Sequence, residues 1–223
     1  DTPPILIGHS AGGAFTQILL DHGYGAAGVA LNSAPTEGVP VVPLSQVKAT
    51  FPVLRNPANR HRAVTYDFEQ WNYAFTNTMP EVEARALFER YAVPVSGSIL
   101  FESALANLTP GHQGTWVDYT NADRAPLLFV SGSHDNIMPP KVQWSNAKHY
   151  KSDKTLTENV EFGGKPHLLA VEAEAKRRGA REAWLYTMSF QAKPFYEKLG
   201  YHQFAELEWK NGEHRRHFMR KDL

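Results

Sequence analysis

One arrangement constrains this chain more than any other: an apolar strand, then Gly-x-Ser-x-Gly, then a helix. The segment GHSAGG runs from Gly8 to Gly13. The apolar run Pro4 to Gly8 precedes it, and a helical pattern, Ala14 to Asp21, follows. That order makes a sharp strand-to-helix turn with a serine at its apex. The turn is expected to need glycine on both flanks, because the serine backbone is strained and a side chain beside it would collide. It lifts the Ser10 hydroxyl out of the sheet toward a substrate. A second strand, Gly28 to Asn32, comes after the turn His22 to Gly25 and completes one βαβ unit.

Charge and composition narrow the partners. The chain has 23 basic and 23 acidic side chains. This balance gives no electrostatic case for nucleic acid or an anionic membrane, and a small-molecule substrate is the expected partner. Cysteine is absent, which removes disulfides, thiolate chemistry and cysteine-based zinc sites. A hydrophobic fraction of 42% over 223 residues supports a packed core in one or two domains. No apolar stretch approaches the roughly 20 residues that span a bilayer. The first residue is Asp1 rather than methionine, so a fragment or a processed product is expected. The expected location is cytoplasmic, with a removed signal peptide as the other origin of such a start.

Residues 35 to about 116 change character. Pro35, Pro40, Pro43, Pro52 and Pro57 break up the early part. Helical patterns follow at Phe68 to Phe75, Glu81 to Tyr91 and Ile99 to Leu108. The stretch is rich in aromatic residues and reads as a helical cap over the site, with interhelix packing as the main use of those rings. The sheet resumes at Pro126 to Ser131 and leads into Gly132-Ser-His-Asp-Asn136. A helix follows from Lys141 to Tyr150, started by Pro139 and Pro140. Residues 157 to 162 form another short strand, followed by Gly163-Gly-Lys-Pro-His167. After Leu169 the pattern is a charged helix to Arg178, a strand from Glu182 to Met188, a helix from Gln191 to Leu199, and a hairpin turning at Asn211-Gly212.

A serine nucleophile needs a base to take its proton, and the base needs an orienting carboxylate. Asp135 sits in a Gly-rich turn after an apolar strand, and His167 in a second such turn after a shorter one. Loops at the C-terminal ends of parallel strands are where such sheets carry sites. Asp135 as a plain loop cap and His167 as a surface histidine are the structural alternatives. Asp118, Asp123 and Asp153 are the other candidate acids. On GHSAGG, SGSHDNIMP and EFGGKPHLL, residues 3 to about 169 resemble the C-terminal two-thirds of a serine α/β-hydrolase. In that family the chain order is serine, acid, histidine, which Ser10, Asp135 and His167 follow. His134 precedes Asp135, the wrong order for the base, and His9 is expected to pack locally. The resemblance implies hydrolysis of ester-like substrates, with Ser10 as nucleophile, Asp135 as acid, His167 as base and the Ala11 N–H as one oxyanion donor. The family's second donor follows an early strand that this sequence lacks. Losing one donor costs about 10²–10³ in rate, so weak catalysis is expected.

From about Ala170 to Leu223 the chain resembles the C-terminal part of a GNAT-type N-acetyltransferase. The residues are EAEAKRRGA, REAWLYTMSFQAKPFYEKLGY and the hairpin to FMRKDL. The resemblance implies that Tyr196 corresponds to the tyrosine that protonates the coenzyme A thiolate. Packing beneath the sheet is the reading preferred for it here. The family holds the cofactor pyrophosphate on a Gly-rich turn opening a helix. Pro166 has no N–H to offer such a group, so negligible coenzyme A binding is expected. A three-residue spacing in a strand puts His214 and His217 on opposite faces, against a metal site.

The expected fold class is α/β: a partial α/β-hydrolase sheet with a helical cap (residues 1–169, cap about 35–116), then a partial GNAT-like segment (170–223). A gene fusion, an assembly error or a designed chimera would each produce that order. Three functions follow: a serine hydrolase without cofactor, an acetyl-CoA-dependent N-acetyltransferase fragment, and an inactive chimera. An exposed edge on the Pro4–Gly8 strand would invite self-association, unless the Glu182–Met188 strand extends the sheet there.

Overall fold

Short runs of Ile, Val, Leu and Phe become the strands that organise the larger part of the chain. In the computed structural model, residues 3–163, 179, 181–188, 193–198, 200–209 and 214–222 are described. The chain divides into two compact units, Asp1–His167 and Leu168–Leu223.

The first unit is built on four parallel strands: β1 (Ile5–His9), β2 (Ala27–Leu31), β5 (Leu127–Gly132) and β6 (Thr157–Phe162). They lie in the order β1-β2-β5-β6, with Ile7 opposite Val29, Ala30 opposite Phe129 and Val130 opposite Val160. Helix α1 (Ala11–Asp21) links β1 to β2, and α6 (Pro140–His149) links β5 to β6. Pro140 stands in the first turn of α6, where its missing N–H costs nothing. Phe129 and Leu127 are buried with Leu20, Ala30, Val117 and Tyr150. Burying a side chain of that size stabilises by about 1.5–3 kcal/mol, so this cluster sets the spacing of α1 and α6 on the sheet.

Between β2 and β5 lie α2 (Leu44–Leu54), α3 (Phe68–Trp71), α4 (Glu81–Tyr91) and α5 (Gly97–Leu105). A two-residue antiparallel ladder joins β3 (Ala63–Val64) to β4 (Val95–Ser96). Helix α2 corrects the expectation that prolines disrupt this region. Pro43 precedes its first turn, where a missing donor does least harm, while Pro52 lies inside the helix and withholds one backbone hydrogen bond from its last turn. A single π-helical turn, Asn72–Thr76, extends α3. The aromatic rings here pack on one another: Phe68 meets Phe88 at 5.6 Å, Trp71 meets Phe88 at 5.7 Å, and Tyr66 meets Phe75 at 6.1 Å.

The second unit contains β7 (Glu182–Met188), β8 (His202–Trp209), β9 (His214–Asp222) and the short helix α7 (Lys193–Lys198). Its three strands form an antiparallel sheet in the order β7-β9-β8. Strand β7 is an edge strand of this sheet. It pairs along its whole length with β9, from Glu182 opposite Asp222 to Met188 opposite Arg216. The hairpin turn at Asn211-Gly212 and the helix ending at Arg178 lie outside the described residues.

Candidate active site

Ser10 stands at the C-terminal end of β1 and at the N-cap of α1, with φ 56° and ψ −119°. Positive φ is uncommon outside glycine and costs energy, so it persists only where the surroundings impose it. They do so here through three backbone bonds. Ser10 N–H donates to the Leu31 carbonyl at 3.0 Å, and the Ser10 carbonyl accepts from Gly13 and Ala34 at 2.9 and 2.8 Å. The Ser10 side chain makes no capping bond to α1. The Ala11 N–H opens the helix, where unsatisfied donors and the helix dipole favour negative charge.

Two of the glycines are required by space, and only Gly8 is one of the two expected. A Cβ on Gly8 would lie 1.9 Å from the Gly12 carbonyl oxygen, and one on Gly13 would lie 2.7 Å from Ser33 Cβ. A Cβ on Gly12 would meet nothing within 4 Å. The expectation of glycine at both flanks is thus corrected. Gly8 must be bare because the Gly12 backbone crosses over it, and Gly13 because α1 is pressed against the chain leaving β2.

Asp135 lies in the turn after β5 and is half-buried. Its Oδ1 accepts from the backbone N–H groups of Ile137 and Met138, at 2.8 and 3.0 Å. Its Oδ2 accepts from Asn32 Nδ2. Two bonds tie the turn to the π-helical region. Asn77 Nδ2 donates to the His134 carbonyl at 2.8 Å, and Asn136 Nδ2 donates to the Tyr73 carbonyl at 2.9 Å. The residues on both sides of Asp135 are therefore held by the same short segment. Ser10 and Asp135 follow β1 and β5 at the same end of the sheet, with β2 between those strands.

His167 lies outside the described residues. The other candidate acids sit elsewhere. Asp118 and Asp123 precede β5, and Asp153 precedes β6, so all three are on chain entering the strands rather than leaving them. The Asp118 carboxylate accepts from Thr120 N and Thr120 Oγ1, at 2.8 and 2.7 Å. These bonds to the Thr120 hydroxyl and amide hold its pKa below the usual carboxylate value. In the second unit, Tyr196 packs edge to face on Tyr201 at 5.9 Å, and burial raises its phenol pKa. Among the described residues no group of three His, Cys, Asp or Glu side chains is placed to hold a metal, and no helix is long and apolar enough to cross a membrane.

Sequence reading missed Asn32 and a polar network beneath the site. Asn32 is buried, with φ 39°. An asparagine closing an apolar strand was the available signal, since Asn enters the left-handed region more readily than most residues. Below it, Gln143 Nε2 donates to the Ser33 carbonyl at 2.8 Å while its Oε1 accepts from Ser33 N–H at 3.0 Å. Gln17 Nε2 donates to Ser33 Oγ at 2.9 Å, and Tyr150 donates to Gln17 Oε1 at 3.0 Å. Burial pushes the neighbouring Tyr119 phenol up to about 12, and it donates to the Glu37 carbonyl at 2.7 Å. These bonds join α1, which carries Ser10, to α6, which follows the Asp135 turn.

No protein-family model and no curated protein matches the chain. Among solved structures it is similar to an acetyltransferase from Bacillus cereus, with 38% identity over 26% of this chain and 41% of that one, at a TM-score of 0.24. It is also similar to a monoacylglycerol lipase from Paleococcus ferrophilus, with 19% identity over 74% of this chain and 60% of that one, at a TM-score of 0.46. A thermophilic esterase matches with 19% identity over 77% of this chain and 62% of its own length, at a TM-score of 0.42. The chain spans less than two thirds of each of these proteins. All three superpositions are partial, and the functional reading rests on this chain's own residues.

Proposed function

We propose that the first unit is a serine hydrolase acting on ester-like small molecules, without a cofactor. The observation that carries this reading is the Ser10 backbone at φ 56° on a strand-to-helix turn, one strand away from an Asp135 carboxylate whose oxygens accept from Ile137, Met138 and Asn32. Ser10 Oγ attacks the ester carbonyl carbon and passes its proton to a histidine base, assigned to His167. The negative oxygen of the tetrahedral intermediate lies toward Ala11 N–H and the N-terminus of α1, where the helix dipole stabilises it. The bond to the leaving alkoxide breaks, and the histidine proton goes to that oxygen. Water then attacks the acyl-serine by the same route and restores Ser10. Asp135 holds the imidazole in the tautomer that accepts from serine.

A fluorophosphonate reagent, which phosphonylates activated serines, tests the reading on the full chain. Peptide mapping is expected to find the label on Ser10, and Ser10→Ala is expected to abolish both labelling and hydrolysis of an activated aryl ester. Hydrolysis that survives the substitution would assign the activity to another group.

A further inference from the structure

We propose that Asn32 is the positioning residue of this site, setting the Asp135 carboxylate relative to Ser10; the inference rests on the hydrolase reading above. Asn32 directly follows β2, which ends at Leu31. That strand lies between the two that deliver Ser10 and Asp135. Consecutive residues reach both ways from it. The Leu31 carbonyl accepts the Ser10 N–H at 3.0 Å, while the Asn32 side chain donates to Asp135 Oδ2. The same side chain accepts Gly132 N–H at 3.2 Å through Oδ1, which fixes which end of the amide faces the acid. Its own N–H donates to the Val130 carbonyl at 2.8 Å. The side chain thus spans the foot of the acid turn and the acid itself.

The chemistry selects asparagine for three reasons. The backbone at φ 39° disfavours β-branched and bulky residues. The site is only 1% exposed, so an unpaired polar group there would be costly and a paired one is retained. The acid needs a neutral donor on this side. A carboxylate would repel it, and a cation would hold it by charge rather than by direction. Asn supplies one N–H toward Asp135 and one acceptor toward Gly132 with no net charge. With Ile137 and Met138 holding Oδ1, the carboxylate is constrained at both oxygens.

Two variants of the full chain test this, with the rate of fluorophosphonate labelling at Ser10 as the readout and circular dichroism as the check on folding. Asn32→Ala removes the donor. The maximal labelling rate is expected to fall at least about tenfold, as for other small losses of alignment, with the half-saturating reagent concentration unchanged. Asn32→Asp keeps the shape but puts a second carboxylate beside Asp135, so the pair retains one proton to higher pH than either would alone. When protonated, the introduced carboxyl again donates to Asp135. The ratio of its labelling rate to that of the wild type is expected to rise as the pH falls, a trend that a loss of packing alone does not produce. A folded Asn32→Ala at the wild-type rate, or a ratio for Asn32→Asp that is flat with pH, overturns the assignment. Should Asn32→Ala fail to fold, the isosteric Asn32→Asp carries the decision. A wild-type chain that is not labelled at Ser10 overturns the hydrolase reading itself, and the role of Asn32 with it.

Discussion

The Ser10 turn and the Asp135 turn sit at the same end of one sheet and are built by different physics. The Ser10 turn is local in its sterics. Gly8, Ser10 and Gly12 shape it within five residues, through a left-handed backbone and a carbonyl passing over a bare Cα, while Leu31 and Ala34 hold its backbone from the end of β2. The Asp135 turn is mostly non-local. It is held by Asn32, Tyr73 and Asn77, from distant parts of the chain, and locally by two backbone amides. A local turn fails by steric collision, abruptly. A turn held by several separate hydrogen bonds loses stability in steps of about 1 kcal/mol per bond.

The largest effect should come from Gly8→Ala. Its Cβ would lie 1.9 Å from the Gly12 carbonyl oxygen, which is backbone and cannot swing aside. A loss of about 3 kcal/mol or more is expected by urea denaturation. A stable Gly8→Ala protein would show that the turn relaxes easily and would weaken the contrast. Next come Asn136→Ala and Asn77→Ala, which remove the two bonds to the π-helical region. Each should cost about 1 kcal/mol, and the double variant about 2. A double variant much worse than the sum would mean that the turn collapses as a unit, more like the serine turn than supposed.

Gly12→Ala should move the other way. The added methyl meets nothing within 4 Å, the position is helical, and alanine there should raise stability by about 0.5–1 kcal/mol. Opposite signs at two glycines of one motif would separate steric need from motif membership. The smallest effect concerns Asp118, whose pKa is held down by its bonds to Thr120. A depressed carboxylate pKa adds stability above the unfolded value, and this is lost as the pH falls through the folded one. Thr120→Val should raise the Asp118 pKa toward the ordinary carboxylate range, read by NMR titration, and flatten the loss of stability in acid. Asp118 is partly exposed to solvent, so screening keeps the effect small.

The legible parts of the fold share one property. The strands at 5–9, 27–31, 127–132 and 157–162 and the helix after Pro139 announce themselves by apolar runs, glycine and proline, and the structure has them within a residue or two of where the pattern puts them. Helix α2 was not legible, because Pro52 lies inside it and proline counts against a helix interior. Gly12 was misread for a related reason. The motif marks it as essential, but whether a Cβ fits depends on what stands opposite.

The amino-acid sequence by itself determined the serine turn, the parallel strand pattern and the candidacy of Asp135. Each depends on sterics or hydrogen bonding within a few residues, or on which end of a strand a loop occupies. Only the tertiary structure decided that Asn32 faces Asp135, that Asn77 and Tyr73 hold the acid turn on both sides of Asp135, and that β7 pairs with β9. Those pairings join residues far apart in the chain. Their donors and acceptors carry no periodic signal, and their partners are fixed only when the packed core sets the distance between the elements that carry them.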